Sequence, residues 1–271
     1  MLNEIRLNEV SPLIHPDWLR PAFEGLPVRA FMTTRAGGVS AGMFASLNVG
    51  SAVGDAPEAV AQNRARVSQA LGAEAVFLQQ VHGVDVAVLC AAHETQAVQS
   101  APGHLWVADA GVSTQAGVGV AIQVADCLPV LFAAPGGVAG AHAGWRGLAG
   151  GVLENTVAAL CTAAGCRPEK VQAWLGACIG PDAFEVGADV LQAFGQAPVL
   201  ADTAFFRYRP KASGEARWHA DLAGLARLRL QALGVGRVSG GEWCTFSERS
   251  RFFSFRREPP GGRMVAAIAL C

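Results

Sequence analysis

The sequence predicts an α+β fold, read as a single domain over residues 1–271 with mixed β-sheets layered against helices. Three observations carry that reading. Strand-like and helix-like segments are interleaved without strict alternation, which argues against a doubly wound parallel sheet. Several strand pairs are joined by connections of hairpin length. Apolar residues continue along the whole chain, at 51% hydrophobic against 16% charged, with no repeat and no low-complexity linker. That much apolar surface offsets chain entropy and excludes disorder as the main state.

Each element follows from local pattern. Val28 to Thr34 reads as a strand running into a Gly-rich loop over 35–50. A helix follows, with Asp55 as N-cap, Pro57 in its first turn, Glu58 at the capping-box position and Gly72 as its stop. Ala75–Val81 and Val84–Cys90 read as two strands around His82-Gly83. Val118–Val124, Pro129–Ala134 and Val138–Ala143 are short and apolar, with a Pro135-Gly136-Gly137 turn between the last two. Leu148–Ala164 is helical in its spacing, and Val171–Ala177 is strand-like. Gly187–Phe194 and Leu222–Leu233 read as helices, the second capped by Asp221 and stopped by Gly234. Phe252–Arg256 and Met264–Leu270 read as closing strands.

Charge narrows the partners. Lys plus Arg number 21 and Asp plus Glu 22, a net charge of −1. A nucleic-acid or acidic-membrane binder wants a basic excess, so neither partner is expected. The opening MLNEIRLNEV carries acids where a signal peptide wants an apolar stretch. The uncharged run Cys127–Ala141 is too short to span a bilayer. Seven cysteines, an odd number with no C-x-x-C spacing, fit neither a disulfide framework nor a zinc ribbon and suggest a reducing cytoplasm. The cations are almost all arginine, Lys170 and Lys211 being the two lysines, so anion sites would be built from Arg.

Three segments join reactive side chains to small neighbours: LQQVHGVDV around His82, VADCLPVLF around Cys127 and GAHAGWRGLAGG around His142. Two imidazoles and a thiolate would give tetrahedral zinc three ligands and leave the fourth position open, the catalytic arrangement. Separations of 45 and 15 residues match no local metal motif. The same residues are consistent with a buried inert cysteine and satisfied core histidines. They are also consistent with a metal-free hydrolase pairing Cys127 with His82 or His142.

Those segments, with MTTRAGGVSAGMFASLNVG (32–50), GACIGPDAFEVG (176–187) and the closing CTFSERSRFFSFRRE and GRMVAAIAL stretches, make the chain resemble the YfiH family, also called the laccase-domain or polyphenol-oxidase family. The likeness runs in order over about residues 28–270, and HAGWRG joined to an upstream ADCLP is its most specific part. The resemblance implies layered sheets and helices and zinc on His82, Cys127 and His142. It also implies phosphate-dependent cleavage of purine nucleosides, with adenosine deamination and methylthioadenosine cleavage credited to members. Members often carry a second cysteine and a tyrosine in the segment matching GPDAFEVG. Here Asp182 and Phe184 stand there, the cysteine is Cys178, and Tyr208 is the one tyrosine of the chain.

Phosphorolysis needs fixed positive charge, which arginine presents as a planar fork. Arg146, four residues after His142, and Arg35, at the mouth of the first Gly-rich loop, are the leading candidates, followed by Arg64 and the Arg256-Arg257 pair. Asn48 is a candidate for hydrogen bonding to ribose or base, and Trp145 for stacking on a purine. Catalysis is assigned to Cys127, His82, His142 and Arg146, acting on a purine nucleoside and inorganic phosphate. The older oxidase label would need copper. A blue-copper centre built on two histidines and a cysteine would leave His15, His93, His104 and His219 for any further cluster. A non-enzymatic interaction protein is the remaining alternative.

Overall fold

The hairpin most plainly marked in the sequence sits at the centre of the molecule. The computed structural model describes residues 14–90 and 106–271. In it β5 (Val118–Val124), β6 (Leu128–Ala134) and β7 (Gly137–Ala143) are buried almost throughout. β6 and β7 pair antiparallel from Leu128↔Ala143 to Ala134↔Gly137. These strands read as continuous apolar runs because both of their faces are covered.

Two larger sheets and a small one organise the rest. A four-stranded sheet runs β1 (Val28–Met32), β13 (Met264–Leu270), β5, β2 (Glu74–Phe77), with β2 parallel to β5 and the other pairs antiparallel. A six-stranded sheet runs β12 (Arg237–Gly240), β8 (Gln172–Leu175), β6, β7, β4 (Ala110–Ser113), β3 (Val86–Val88), with parallel pairs at its two edges. β9 (Glu185–Val186), β10 (Phe206–Tyr208) and β11 (Trp218–Ala220) form the third. The helices are α1 (Pro57–Leu71), α2 (Trp145–Gly150), α3 (Val152–Ala164), α4 (Ala188–Ala193) and α5 (Leu222–Ala232).

The side-chain period of the strands sorts these elements into layers. Along β13, Val265, Ala267 and Ala269 join a core with Val67, Ala70 and Leu71 of α1, whereas Met264, Ala266 and Ile268 join the core between the two large sheets. Along β6, Leu131 and Ala133 face that inner core, and Val130, Phe132 and Ala134 face a third core with α3 and α5. The order is helix, four-stranded sheet, six-stranded sheet, helices with the small sheet. The expected α+β class of mixed sheets is what the structure has.

Several expectations need correction. Ala56, not Asp55, is the N-cap of α1; the Asp55 carboxylate accepts from the Ala56 N–H, the Ser40 hydroxyl and the Asn48 amide. The helix expected over 148–164 is two, since Gly151 at φ 101° ends α2 and starts α3. Phe252–Arg256 is not a strand but a turn-rich stretch, its Ser254 hydroxyl and Arg256 N–H both donating to Asp126. The two strands expected around His82, over 75–81 and 84–90, are present but shorter: β2 belongs to the four-stranded sheet and β3 to the six-stranded one. β4 and β9 to β12, short elements with little period to read, were not expected.

Phe132 is fully buried at the middle of the six-stranded sheet. Phe132→Ala is expected to cost about 3–5 kcal/mol of stability, measured by urea denaturation. A loss under about 1 kcal/mol would contradict this placement of the core.

Candidate metal centre

Two of the three candidate ligands sit where the chain passes from one large sheet to the other. His82 lies between β2 and β3, and Cys127 between β5 and β6. His142 is the penultimate residue of β7. The crossings converge at one end of the sheets, so the ligand atoms of His82, Cys127 and His142 all lie within 4.8 Å of one another. Cys127 Sγ is 3.7 Å from His82 Nε2, and the two imidazoles meet edge to face at 4.8 Å. Among the described residues this is the one group of three or more metal-binding side chains.

The backbone here is held in conformations that need support. His82 at φ 61° and Asp126 at φ 98° are the two non-glycine residues with positive φ among the described residues. Each costs on the order of 1–3 kcal/mol unless its surroundings fix it. Asp109 fixes the first. Its buried carboxylate accepts from the backbone N–H of Val81, His82 and Gly83 at 3.1, 2.9 and 2.6 Å, and from His142 Nδ1 at 2.8 Å. Asp126 is fixed by its own carboxylate, which accepts from the Thr245 and Ser254 hydroxyls and the Arg256 N–H. Gly144 is required by close approach: a Cβ there would lie 3.0 Å from both Cys127 Sγ and His82 Cδ2.

The electrostatics suit a cation. Burial alone would raise the Cys127 thiol, but the charge and hydrogen bond of His142, with those of His82, bring it down to about 6. Burial opposes charge on His142, yet Cys127 and Asp109 raise it to about 9. Burial would likewise raise the Asp109 carboxyl, and hydrogen bonds from His142, Gly83 and Val81 hold it below the ordinary carboxylate range. A thiolate stabilised by neighbouring imidazoles, and two imidazoles, one with Nδ1 engaged by a carboxylate so that its other nitrogen is left for a ligand, fit a divalent metal.

The cluster forms part of the wall of a cleft of about 610 Å³, within the range of small-molecule sites. Arg64, Arg256 and Arg263 line it, none of them in an ion pair among the described residues. Arg64 Nε donates to the Val49 carbonyl and lies over the Phe77 ring at 4.3 Å. Arg263 Nη1 donates to the carbonyls of Pro260, Gly261 and Gly262. Burial pulls both guanidinium pKa values below the ordinary one, with Cys127 and Asp126 pulling back at Arg263. The apolar lining includes Ile179, Phe184 and Phe255.

The other sequence candidates are placed elsewhere. Arg146 is exposed, stacked over Trp145 at 4.3 Å, and neither lines the cleft. Arg35 is a loop clamp, donating to the carbonyls of Ala45 and Arg249. Asn48 is fully buried and its amide is spent: it donates to Gly50 O and Asp55 and accepts from the N–H of Gly50 and Arg263. It therefore positions two cleft residues rather than touching the cleft. Arg257 donates to three backbone carbonyls and holds the turn over 245–252. Asp109 and Arg263 went unread in the sequence.

A family profile described as multi-copper polyphenol oxidoreductase laccase matches residues 29–271. The chain belongs to this family. It is 46% identical over 257 residues to purine nucleoside phosphorylase PA4543 of Pseudomonas aeruginosa, covering 94% of this chain and 97% of that one. It is 43% identical over 265 residues to purine nucleoside phosphorylase YfiH of Escherichia coli, covering 96% and 100%. Among solved structures it is similar to Neisseria meningitidis NMB0706 (TM-score 0.79, 43% identity, 94% and 99% covered) and to YlmD of Geobacillus stearothermophilus (TM-score 0.80, 34% identity, 93% and 96% covered). The resemblance to the YfiH family read in the sequence is borne out. The names of these relatives support an enzyme of the purine nucleoside phosphorylase kind. No helix among the described residues is long and apolar enough to cross a membrane.

Asp109→Asn keeps the size of the side chain but removes the charge that His142 and three N–H groups share. It is expected to weaken the affinity of the cluster for an added divalent metal ion about 10–100-fold, read by competition with a chromophoric chelator. An unchanged affinity would rule out a supporting role for Asp109.

Proposed function

We propose that the protein is a zinc-dependent purine nucleoside phosphorylase. It would cleave adenosine, inosine, guanosine or methylthioadenosine with inorganic phosphate, giving free base and ribose 1-phosphate. The observation that carries the reading is the pairing, in one cleft, of the His82–Cys127–His142 cluster with arginines that have no carboxylate partner among the described residues. Zinc, rather than copper, is the ion proposed. The donor set suits it, the reaction needs no electron transfer, and among the described residues no methionine lines the cleft to act as the weak axial ligand of a blue-copper centre.

The residues divide the work. Arg64, Arg263 and Arg256 hold phosphate as an anion and orient it, since fixed donors in a dry site need no reorganisation during reaction. Phe184, Phe255 and Ile179 give the base an apolar seat from which water is expelled. Bound zinc supplies a Lewis acid that can polarise an oxygen of phosphate or ribose. Asp109 keeps His142 in one tautomer and His82 in its strained backbone position. Arg146, exposed beside the site, is left a minor role.

Deamination ranks second. It wants a carboxylate free to shuttle protons. Among the described residues Asp126 is the one acid lining the cleft, and its oxygens are taken by Thr245, Ser254 and Arg256. The Cys127–His142 pair alone has the charge pattern of an activated nucleophile. A second imidazole, His82, 3.7 Å from the same sulfur favours the metal over a metal-free hydrolase. Seven free thiols support the cytoplasmic reading.

Purified protein incubated with adenosine should release adenine and ribose 1-phosphate only when phosphate is present. Inosine as the dominant product, formed equally fast without phosphate, would make this chiefly a deaminase. Cys127→Ser should lose most of the zinc by elemental analysis and most of the turnover, while the far-ultraviolet spectrum is kept. Full zinc content in that variant would remove Cys127 from the ligand set.

Arg64→Ala is expected to raise KM for phosphate by about tenfold or more, the value of a charge-assisted hydrogen bond. Arg146→Ala should leave it within about twofold. The reverse ranking would relocate the phosphate site to the surface of α2.

A further inference from the structure

Three glutamines line the cleft, Gln79, Gln80 and Gln123, and two of them are spent. Gln80 Nε2 donates to the Gln123 carbonyl and Gln80 Oε1 accepts from the Gln123 N–H, each at 2.8 Å. The Gln123 amide donates to the Leu78 carbonyl and accepts from Arg64. Gln79 differs. Its side-chain amide has no hydrogen-bond partner among the described residues and is exposed. Its backbone, by contrast, is pinned on both sides: the Gln79 N–H donates to the Trp106 carbonyl at 2.8 Å, and its carbonyl accepts from the Ala108 N–H at 3.3 Å. A fixed backbone therefore presents an unspent donor and acceptor at the lip of the cleft, three residues before His82.

The other lining groups restrict what that amide can serve. The arginines supply donors for an anion, and Asp126 has no oxygen to spare. Phe184, Phe255 and Ile179 offer apolar surface for a flat ring. A purine seated on that surface still has polar edge atoms, which lose water on entry and need partners. A carboxamide matches the N7 and 6-amino edge of adenine: the amide N–H₂ donates to N7 and the amide oxygen accepts from the amino group. Against a 6-oxopurine the same amide faces two acceptors and can satisfy only one of them well.

We propose that Gln79 is the base-selecting residue of the cleft and makes the enzyme prefer 6-aminopurine nucleosides to 6-oxopurine nucleosides. The proposal rests on the phosphorylase reading above. In phosphorolysis the glycosidic C–N bond breaks with its electron pair going to the purine, so negative charge grows on the ring as phosphate bonds to the anomeric carbon. A donor at N7 strengthens as that charge grows, and the selection therefore falls on kcat more than on KM.

The test measures kcat and KM for adenosine and for inosine, at saturating phosphate, in the wild type, Gln79→Leu and Gln79→Glu. The wild type is expected to favour adenosine in kcat/KM by about tenfold or more. Gln79→Leu should lose most of that ratio through a lower kcat on adenosine. Gln79→Glu, which accepts from the amino group but cannot donate to N7, should also lower adenosine turnover. A ratio unchanged in both variants, or an equal fall on both substrates, overturns the assignment.

Equilibrium dialysis with free adenine and free hypoxanthine separates this from failure of the phosphorylase reading. If no nucleoside is cleaved, that reading fails. The base-selecting role then stands if adenine binds more tightly than hypoxanthine in the wild type and equally in Gln79→Leu, and falls if the wild type does not distinguish them.

Discussion

The Asp109 carboxylate is the constraint on which the site depends. It is fully buried, and a buried charge survives only where its lone pairs are filled. Three backbone N–H groups and one imidazole fill them here. The Asp109 backbone adds to this, since its carbonyl accepts from the His142 N–H at 2.7 Å and its N–H donates to the Asp85 carbonyl. One residue at the foot of β4 thereby ties the strand carrying His142 to the loop carrying His82. Without that tie His82 has no reason to hold a positive φ, and the imidazole of His142 has no fixed tautomer.

Asp126 repeats the device on the other side of the cluster. It precedes Cys127, and its hydrogen bonds draw in Thr245, Ser254 and Arg256 from a stretch more than a hundred residues away. The aromatic-rich segment after Cys244 is shaped by this demand rather than by sheet pairing. That is why Phe252–Arg256, a strand by composition, is a turn in the fold. Its backbone points at a carboxylate, and Phe255 and Arg256 are left facing the cleft.

Legibility in the sequence follows the same line. β5, β6 and β7 were readable because burial on both faces leaves an unbroken apolar run bounded by turn residues. The candidate triad was readable because His82, Cys127 and His142 each stand among small residues, and at Gly144 the small size serves close approach. Asp109 was missed because a lone acid among small residues carries no period. Its one signal is a charge directly before a strand buried at every position. For Arg146, separation along the chain is a poor guide to distance from the cluster. The four residues from His142 turn from strand into helix, and the side chain leaves on the outer face. Arg263 stands directly before the apolar run of GRMVAAIAL, which reads as a strand and gives the cation at its start no signal of its own.

The crossing of the chain between sheets has a mechanical meaning. Two sheets held together only by apolar side chains resist separation, but they resist sliding far less, because apolar contacts have no direction. His82 and Cys127 lie on two of the connectors between the sheets, and His142 lies on one of the sheets joined. An ion bound by all three is a rivet through the sandwich, set at one end of the strands. Any slip of one sheet on the other stretches coordination bonds of fixed length, so the ion resists shear that the core does not. Such an ion would bind the native arrangement and not the slipped or open one. At a free concentration a thousand times its dissociation constant such an ion adds about 4 kcal/mol to the cost of unfolding. The same ion that serves the chemistry would thus set how long the sandwich stays closed.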